Sequence, residues 1–502
     1  MEKKNNVFMI SLVVVALIVA WGLLAPANFE SAANASFNFL VGNFGWFYLI
    51  SMFSFVLFCI WIALSKYGHI KLGPDDSKPE YSYFSWFAML FSAGMGIGLV
   101  FWGIAEPLNH YVAPLGMEGG TIAAADFAMK KSFFHWGLHP WANYSVLALA
   151  LAYMQFRKNK PGLISSIFIP LLGEERVKGP IGQTVDILAV FATVAGVATS
   201  LGLGTLQINS GLNYLFGLPE NTAVQVGIVA VVTVMFMMSA VTGLDKGIKF
   251  LSNLNLSIAG ILTVLAFLIG PTVMIINALT NATGMYFGDF IRDSFMIEVF
   301  GDSQWFGWWT IFYWAWWIAW APFVGTFIAR ISKGRTIREF VVGVLLVPAF
   351  GSFLWFAVFG TMGINLGMEV AAEAIKSTPT AFFVVMSHYP MGSIISFVAV
   401  ILLVTFFVTS ADSATFVLGM MTSDGDLNPT TQKKVIWGVI QSLLALALMI
   451  AGGLGMLQTA SIAAAFPFAF VMLFGMVSLV KALKTEVICT PDITCYDVEK
   501  EK

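Results

Sequence analysis

Twelve long apolar runs, separated by short polar stretches, make up most of this chain. Each is long enough for a helix to cross the hydrocarbon core of a bilayer, which takes about 20 residues. They fall roughly at 8–26, 44–65, 84–105, 132–156, 184–212, 222–242, 252–279, 305–330, 338–361, 392–420, 434–453 and 458–481. Two amphipathic stretches, about 284–299 and 367–389, are too polar to cross and are predicted to lie on the membrane surface as helices. The pattern therefore predicts an all-α polytopic membrane protein with 12 transmembrane helices.

Two of the runs are interrupted. The third contains Ser92-Ala93-Gly94-Met95-Gly96-Ile97-Gly98, whose alternate glycines are poor for a continuous helix. Such a run either packs helices closely through small residues or unwinds beside a cavity. If it unwinds, its free amides could hold a carboxylate and its carbonyls a cation. The eighth run is interrupted by Pro322. Breaks five spans apart suggest two inverted five-helix repeats after two N-terminal helices, with a mid-membrane site. The divisions are then residues 1–83 (N-terminal tail and helices 1–2), 84–283 (repeat one), 284–304 (surface helix), 305–481 (repeat two) and 482–502 (short cytoplasmic tail).

Composition agrees, with 58% hydrophobic and 11% charged residues. A net charge of −2 gives no reason to expect nucleic acid. The three cysteines, Cys59, Cys489 and Cys495, make no disulfide framework. The first apolar run is long and has no convincing cleavage site, so it is expected to be a retained span. With the N-terminus in the cytoplasm, 22 of the 26 Lys and Arg fall on the cytoplasmic side, leaving Lys130, Lys131, Arg292 and Lys376 outside. This places both termini in the cytoplasm and the chain in the cell membrane. No metal-ligand set, activated nucleophile or phosphate-binding loop is evident, so neither an enzyme nor a cofactor is expected.

Candidate chemistry gathers in the eighth run, where seven of the sixteen tryptophans lie. Trp305, Trp308 and Trp309 start the segment and suit headgroup anchoring. Trp314, Trp316, Trp317 and Trp320 lie deeper. Trp316 and Trp320 share a helix face at i,i+4, and Trp317 and Trp320 are i,i+3 neighbours. Deep indole faces either pack helices or bind a quaternary ammonium through the ring quadrupole. In span four Trp141 and Tyr144 share a face and suit either an interface belt or part of such a cage. His135 and His139 have a metal-pair spacing without an adjoining acid or thiol, and are read as structural. Thr193, Thr199 and Ser200 in span five are read first as hydroxyls bonded to their own helix. In span ten Asp412 is either functional or paired, and Thr409 and Ser410 offer hard oxygens for a small cation.

These segments together resemble the betaine/choline/carnitine transporter family over about residues 8–481. The most specific is FYWAWWIAWAPFVGTFIARISKGRTIREF at 312–340, flanked in order by GMGIG (94–98), HWGLHPWANY (135–144) and FFVTSADS (406–413). The resemblance implies a LeuT-like fold of inverted five-helix repeats, commonly a homotrimer. It implies a quaternary ammonium cage from Trp136, Trp141 and Tyr144 with Trp316, Trp317 and Trp320, and a carboxylate held by amides near Gly94 and Gly96. It implies one sodium site from the backbone at Ser92 and Met95 with Thr409 and Ser410. A second sodium site would use Thr193 and Phe323, but Val197 stands where relatives have a second hydroxyl. The GMGIG stretch, with no acid at Gly98, Val324 in place of a methionine and no arginine near Asn255, resembles sodium-coupled betaine carriers. Proton-coupled choline carriers and sodium-independent carnitine exchangers are the alternatives. The expectation is sodium symport of glycine betaine or a related osmolyte. The short tail, with Glu486, Asp492, Asp497, Glu499 and Glu501, lacks the long basic extension of osmosensing relatives.

Overall fold

The structure is a computed structural model and describes residues 6–94, 96–242, 245–300, 304–490 and 493–497. Among these, nine helices are long and apolar enough to cross a membrane. The sole sheet among them is an antiparallel hairpin near the C-terminus, Val487–Thr490 with Ile493–Asp497. The chain is a helical, multi-pass membrane protein. The apolar segment Gln304–Ile331 has 89% of its best membrane-length window buried, against 28% for Asn6–Leu24, which makes it the centre of the bundle. Its core helix, Phe312–Ile331, packs on Leu138–Ala152, Pro180–Phe216 and Thr431–Leu483.

Glycine and proline decide where helices stop, not always as predicted. The glycine run in span three does end a helix: Tyr83–Gly94 stops there and Ile97–Val112 restarts after Gly96, whose backbone is non-helical (φ −139°, ψ −147°). Span four breaks too, between Ile122–Trp136 and Leu138–Ala152. At Gly137 a Cβ would lie 2.6 Å from the Phe133 carbonyl oxygen and 2.7 Å from the Tyr286 hydroxyl, so only glycine fits. The amide of Leu138 freed by this break donates to the Tyr286 hydroxyl at 2.9 Å. Within the long helix Thr431–Leu483, Gly452 and Gly453 depart from helical geometry and mark a kink.

Pro322 behaves otherwise. Phe312–Ile331 runs through it without a break, which corrects the expectation of an interrupted eighth span. A proline deprives its helix of one donor, and close packing on all sides holds the remaining bonds. The irregularity lies earlier, in a π-helical turn at Gly307–Ile311. Two other boundaries differ. The second helix starts at Pro26 and runs to Leu64, because proline at a first turn forfeits no intrahelical bond. The Trp21 indole donates across this junction to Asn28 Oδ1 at 2.9 Å. Gly270 and Pro271 end the helix Asp245–Ile269, so the next helix begins at Thr272, ahead of the predicted 284.

A charged clasp joins the chain's C-terminal region to two earlier segments. Glu486, 6% exposed, accepts from Arg157 Nε (2.8 Å) and Nη2 (2.7 Å), Lys158 Nζ (2.7 Å) and the Tyr153 hydroxyl (2.6 Å). Arg157 also donates to Asp75 at 2.7 Å and to the Gly73 carbonyl at 2.9 Å. Burial alone would raise the Glu486 carboxyl, but the bonds from Arg157, Lys158 and Tyr153 outweigh it and pull it down to about 2. A depressed carboxyl contributes stability that is present above its unfolded value and lost as pH falls through the folded one. The clasp should therefore add the same stability throughout the neutral range and lose it only in acid, from about 4.5 down to about 2. Glu486→Gln is expected to cost about 1–3 kcal/mol. It should lower the melting temperature in detergent at pH 7 by several degrees and leave ligand affinity unchanged.

Candidate functional site

A cavity of about 90 Å³ lies where the broken third span meets the tryptophan helix. Trp136, Trp316, Trp317 and Trp320 wall it, with Gly96 and Gly98 on one side and Thr409 and Ser410 on another. No charged side chain is among its described lining residues.

Local structure explains how four indoles converge. Trp316 and Trp317 lie one after the other on Phe312–Ile331, with rings stacked at 4.9 Å and 16°. Trp136, the last residue of Ile122–Trp136, meets Trp317 edge to face at 4.8 Å and 77°, and Trp316 at 6.2 Å and 89°. Gly98 makes this convergence possible, because a Cβ there would sit 2.5 Å from Trp316 Cη2 and 3.2 Å from Trp136 Cη2. Polar anchors set the ring orientations. Trp317 Nε1 donates to the His135 carbonyl (3.0 Å), Trp320 Nε1 to the Gly196 carbonyl (2.7 Å) and Trp136 Nε1 to Glu106 Oε2 (2.9 Å). Asn143 holds the Trp317 carbonyl at 2.8 Å. Trp316 Nε1 is buried beside the cavity with no hydrogen-bond partner among the described residues.

The predicted cage is only partly assembled. Tyr144 packs behind Trp317 at 6.3 Å and Trp141 packs on Tyr144 at 5.6 Å; neither lines the cavity. They form a second layer that supports the first. Trp314 turns away and stacks on His139 at 4.8 Å and 23°. Trp308 stacks on Phe37 at 4.2 Å and 23°.

Of the predicted cation ligands, Thr409 and Ser410 line the cavity. A Cβ at Gly96 would lie 3.8 Å from Ser410 Oγ, so this hydroxyl adjoins the helix break. Thr409 Oγ1 accepts from Asn255 Nδ2 at 3.2 Å and donates to the Thr405 carbonyl at 3.0 Å. Met95 lies outside the described residues, as does the side chain of Ser92, while Gly94 is the last residue of its helix. Phe323 lines the cavity, edge-on to Trp320 at 5.4 Å. Thr193 does not line it: its hydroxyl donates to the Ala189 carbonyl at 2.8 Å, one turn back. Asp412 accepts from Ser239 at 2.7 Å.

The sequence reading overlooked Glu106 and Tyr313. Glu106 is fully buried one residue past the predicted end of span three. A carboxylate in an apolar span is a recognisable signal, but the predicted span stopped at 105 while the helix runs on to Val112, which left Glu106 outside it. His135, read as structural, is paired with it: Nδ1 lies 2.6 Å from Glu106 Oε1.

What this arrangement can do is bind. Its described lining offers aromatic faces, backbone at a helix break and the hydroxyls of Ser200, Ser252, Thr409, Ser410 and Ser413. The comparisons with known proteins agree. The family described as betaine/carnitine/choline family transporter matches residues 6–488. The glycine betaine transporter OpuD of Bacillus subtilis is 50% identical over 96% of this chain and 95% of its own length. A probable glycine betaine transporter of Desulfitobacterium hafniense is 46% identical over 97% of this chain and 98% of its own. An ectoine/hydroxyectoine transporter of Virgibacillus pantothenticus is 46% identical over 96% of both. With the family matched from end to end of the bundle, and relatives up to 50% identical over nearly the whole chain, this chain belongs to the betaine/carnitine/choline transporter family.

Proposed function

We propose that this protein is a sodium-coupled importer of glycine betaine or a closely related trimethylammonium osmolyte, working by alternating access. The observation that carries the reading is a mid-bundle cavity walled by four indoles, with no charged side chain among its described lining residues. A quaternary ammonium cannot donate hydrogen bonds, so ring faces are its natural partners, each worth about 0.5–2 kcal/mol when desolvated. A zwitterionic betaine brings its own counter-charge into such a site. Choline, a bare cation, would not. The relatives named for glycine betaine support the same substrate class.

Sodium is inferred from Thr409 and Ser410 beside the break at Gly96. An ion held there would tie the broken third span to Gly392–Met421 and complete the substrate site. Coupling requires that sodium and substrate favour the same state, since a ligand indifferent to both shifts nothing. From Trp316 the cavity reaches Phe327, roughly 16 Å along the helix toward the basic cluster that begins at Arg330. With basic loops and both termini in the cytoplasm of a cell-membrane protein, this is an inward-leading path.

Twelve crossings follow if each broken span crosses once and Thr431–Leu483 crosses twice, folding at Gly452. Packing supports the inverted repeats. Exchanging spans three, four, five and seven for eight, nine, ten and twelve turns the observed third–ninth contact into the observed fourth–eighth contact. It likewise turns Asn255–Thr409, between spans seven and ten, into Thr199–Ser461, between five and twelve. A homotrimer is carried over from the family resemblance.

The test is uptake of radiolabelled glycine betaine into proteoliposomes under an imposed sodium gradient. Equal uptake with potassium would defeat symport and favour sodium-independent exchange. Proline betaine, carnitine, choline and ectoine as competitors would rank the substrates, ectoine because one relative is named for it. Ser410→Ala is expected to raise the half-saturating sodium concentration about tenfold, the equivalent of about 1.4 kcal/mol. The betaine constant at saturating sodium should change less than about threefold.

A further inference from the structure

Behind the cage lies a buried polar cluster that substrate recognition, as described so far, does not use. Glu106, on Ile97–Val112, is fully buried and surrounded by donors from two other segments. Its Oε2 accepts from Trp136 Nε1 at 2.9 Å and from the Tyr313 hydroxyl at 2.6 Å. Its Oε1 lies 2.6 Å from His135 Nδ1 and 3.4 Å from His110 Nε2. His135 Nε2 in turn lies 3.0 Å from Thr310 Oγ1.

One oxygen therefore joins the two walls of the cage. Trp136 ends its helix at the break before Gly137, and its ring packs on Tyr313, Trp316, Trp317 and Phe356. Tyr313 stands three and four residues before Trp316 and Trp317, on the same helix face as both. A single acceptor bonded to both Trp136 and Tyr313 sets the distance between the two walls. Glu106 also sits about two turns after Gly98, so this distance is tied to the restarted half of the broken span. We propose that Glu106 is a positioning residue, fixing Trp136 against the Trp316–Trp317 pair and so setting the aperture of the ammonium cage. This rests on the cage reading above.

A metal centre at Glu106, His110 and His135 fits less well, although their ligand atoms lie within 4.8 Å of one another. A tetrahedral ion with ligands at about 2.0–2.2 Å would hold them roughly 3.3–3.5 Å apart. The 2.6 Å between Oε1 and Nδ1 is a hydrogen bond. Oε2 moreover already accepts from two donors, the Trp136 indole and the Tyr313 hydroxyl.

The test compares Glu106→Ala with Glu106→Gln, whose amide oxygen can still accept from the indole and the phenol. Glu106→Ala should raise the apparent betaine constant about 30- to 100-fold, with turnover within about threefold, as for a displaced binding group. Glu106→Gln should recover the constant to within about threefold of the parent. Trp136→Phe added to Glu106→Ala should cost less than about a further twofold, because both act through one ring. In protein labelled with 5-fluorotryptophan and free of substrate, the fluorine resonance that vanishes in Trp136→Phe should shift in Glu106→Ala. An unchanged constant, additive losses or an unmoved Trp136 resonance would each overturn the proposal. If Glu106→Ala fails to fold, Tyr313→Phe carries the test: it should raise the constant about five- to tenfold, and no change overturns the proposal. Should the parent protein fail to bind betaine, the proposed function falls, while the substrate-free resonance still decides whether Glu106 holds Trp136.

Discussion

Trp317→Leu is expected to raise the apparent betaine constant roughly thirtyfold while the protein still folds. Trp317 is 5% exposed and is the ring that others meet: Trp316 stacks on it, Trp136 meets it edge-on, and Tyr144 backs it. Loss of one desolvated cation–π contact is worth up to about 2 kcal/mol, and about 1.4 kcal/mol is tenfold in affinity. Leucine keeps most of the apolar burial, so the loss concentrates on the ammonium. The replacement also frees the His135 carbonyl, which accepts from Trp317 at 3.0 Å, and this should cost about 1 kcal/mol of stability. Binding measured by quenching of the remaining tryptophans, beside a melting curve, separates the two effects. An unchanged constant would mean that the cation sits elsewhere.

Gly98→Ala should abolish transport without unfolding the chain. The new methyl would lie 2.5 Å from Trp316 Cη2 and 3.2 Å from Trp136 Cη2. An indole cannot yield as a flexible side chain does, and Trp316 is held between Phe312 and Trp317. The clash has to move a cage ring or the restarted helix, and displacement by about 1 Å can cost a hundredfold in rate. Overpacking one methyl costs about 1–3 kcal/mol of stability, which a bundle of this size can sustain. The neighbouring glycine is a built-in contrast. A methyl at Gly96 would meet nothing nearer than Ser410 Oγ at 3.8 Å, so Gly96→Ala should weaken sodium dependence before betaine binding. Uptake by the two variants at matched expression checks this; equal damage from both would show that helix unwinding, not ring clearance, is what glycine supplies.

How much of this could be read without coordinates differs from residue to residue. Trp316, Trp317 and Trp320 were legible because local helix spacing puts them on adjoining faces, and all three reach the cavity. Thr409 and Ser410 were legible as hard oxygens in an apolar span, and both line it. The glycine run marked a real helix end. Pro322 misled, since a proline stops a helix only when its surroundings do not compensate, and surroundings are not in the local sequence. Spacing left Trp141 and Tyr144 open between an interface belt and a cage, because it gives a face but not a depth; the structure places them in a layer behind Trp317.

The sequence alone determined that this is a many-spanning helical membrane protein, and it located the segments from which the cavity is made. Hydropathy and i,i+4 spacing are local quantities, and bilayer insertion depends on them segment by segment. Tertiary structure alone decided which rings line the cavity and what holds them. Glu106, Trp136 and Tyr313 lie on three separate helices, and only packing brings one carboxylate oxygen within bonding reach of the other two side chains. A shared hydrogen bond between distant segments leaves no periodic trace in the chain.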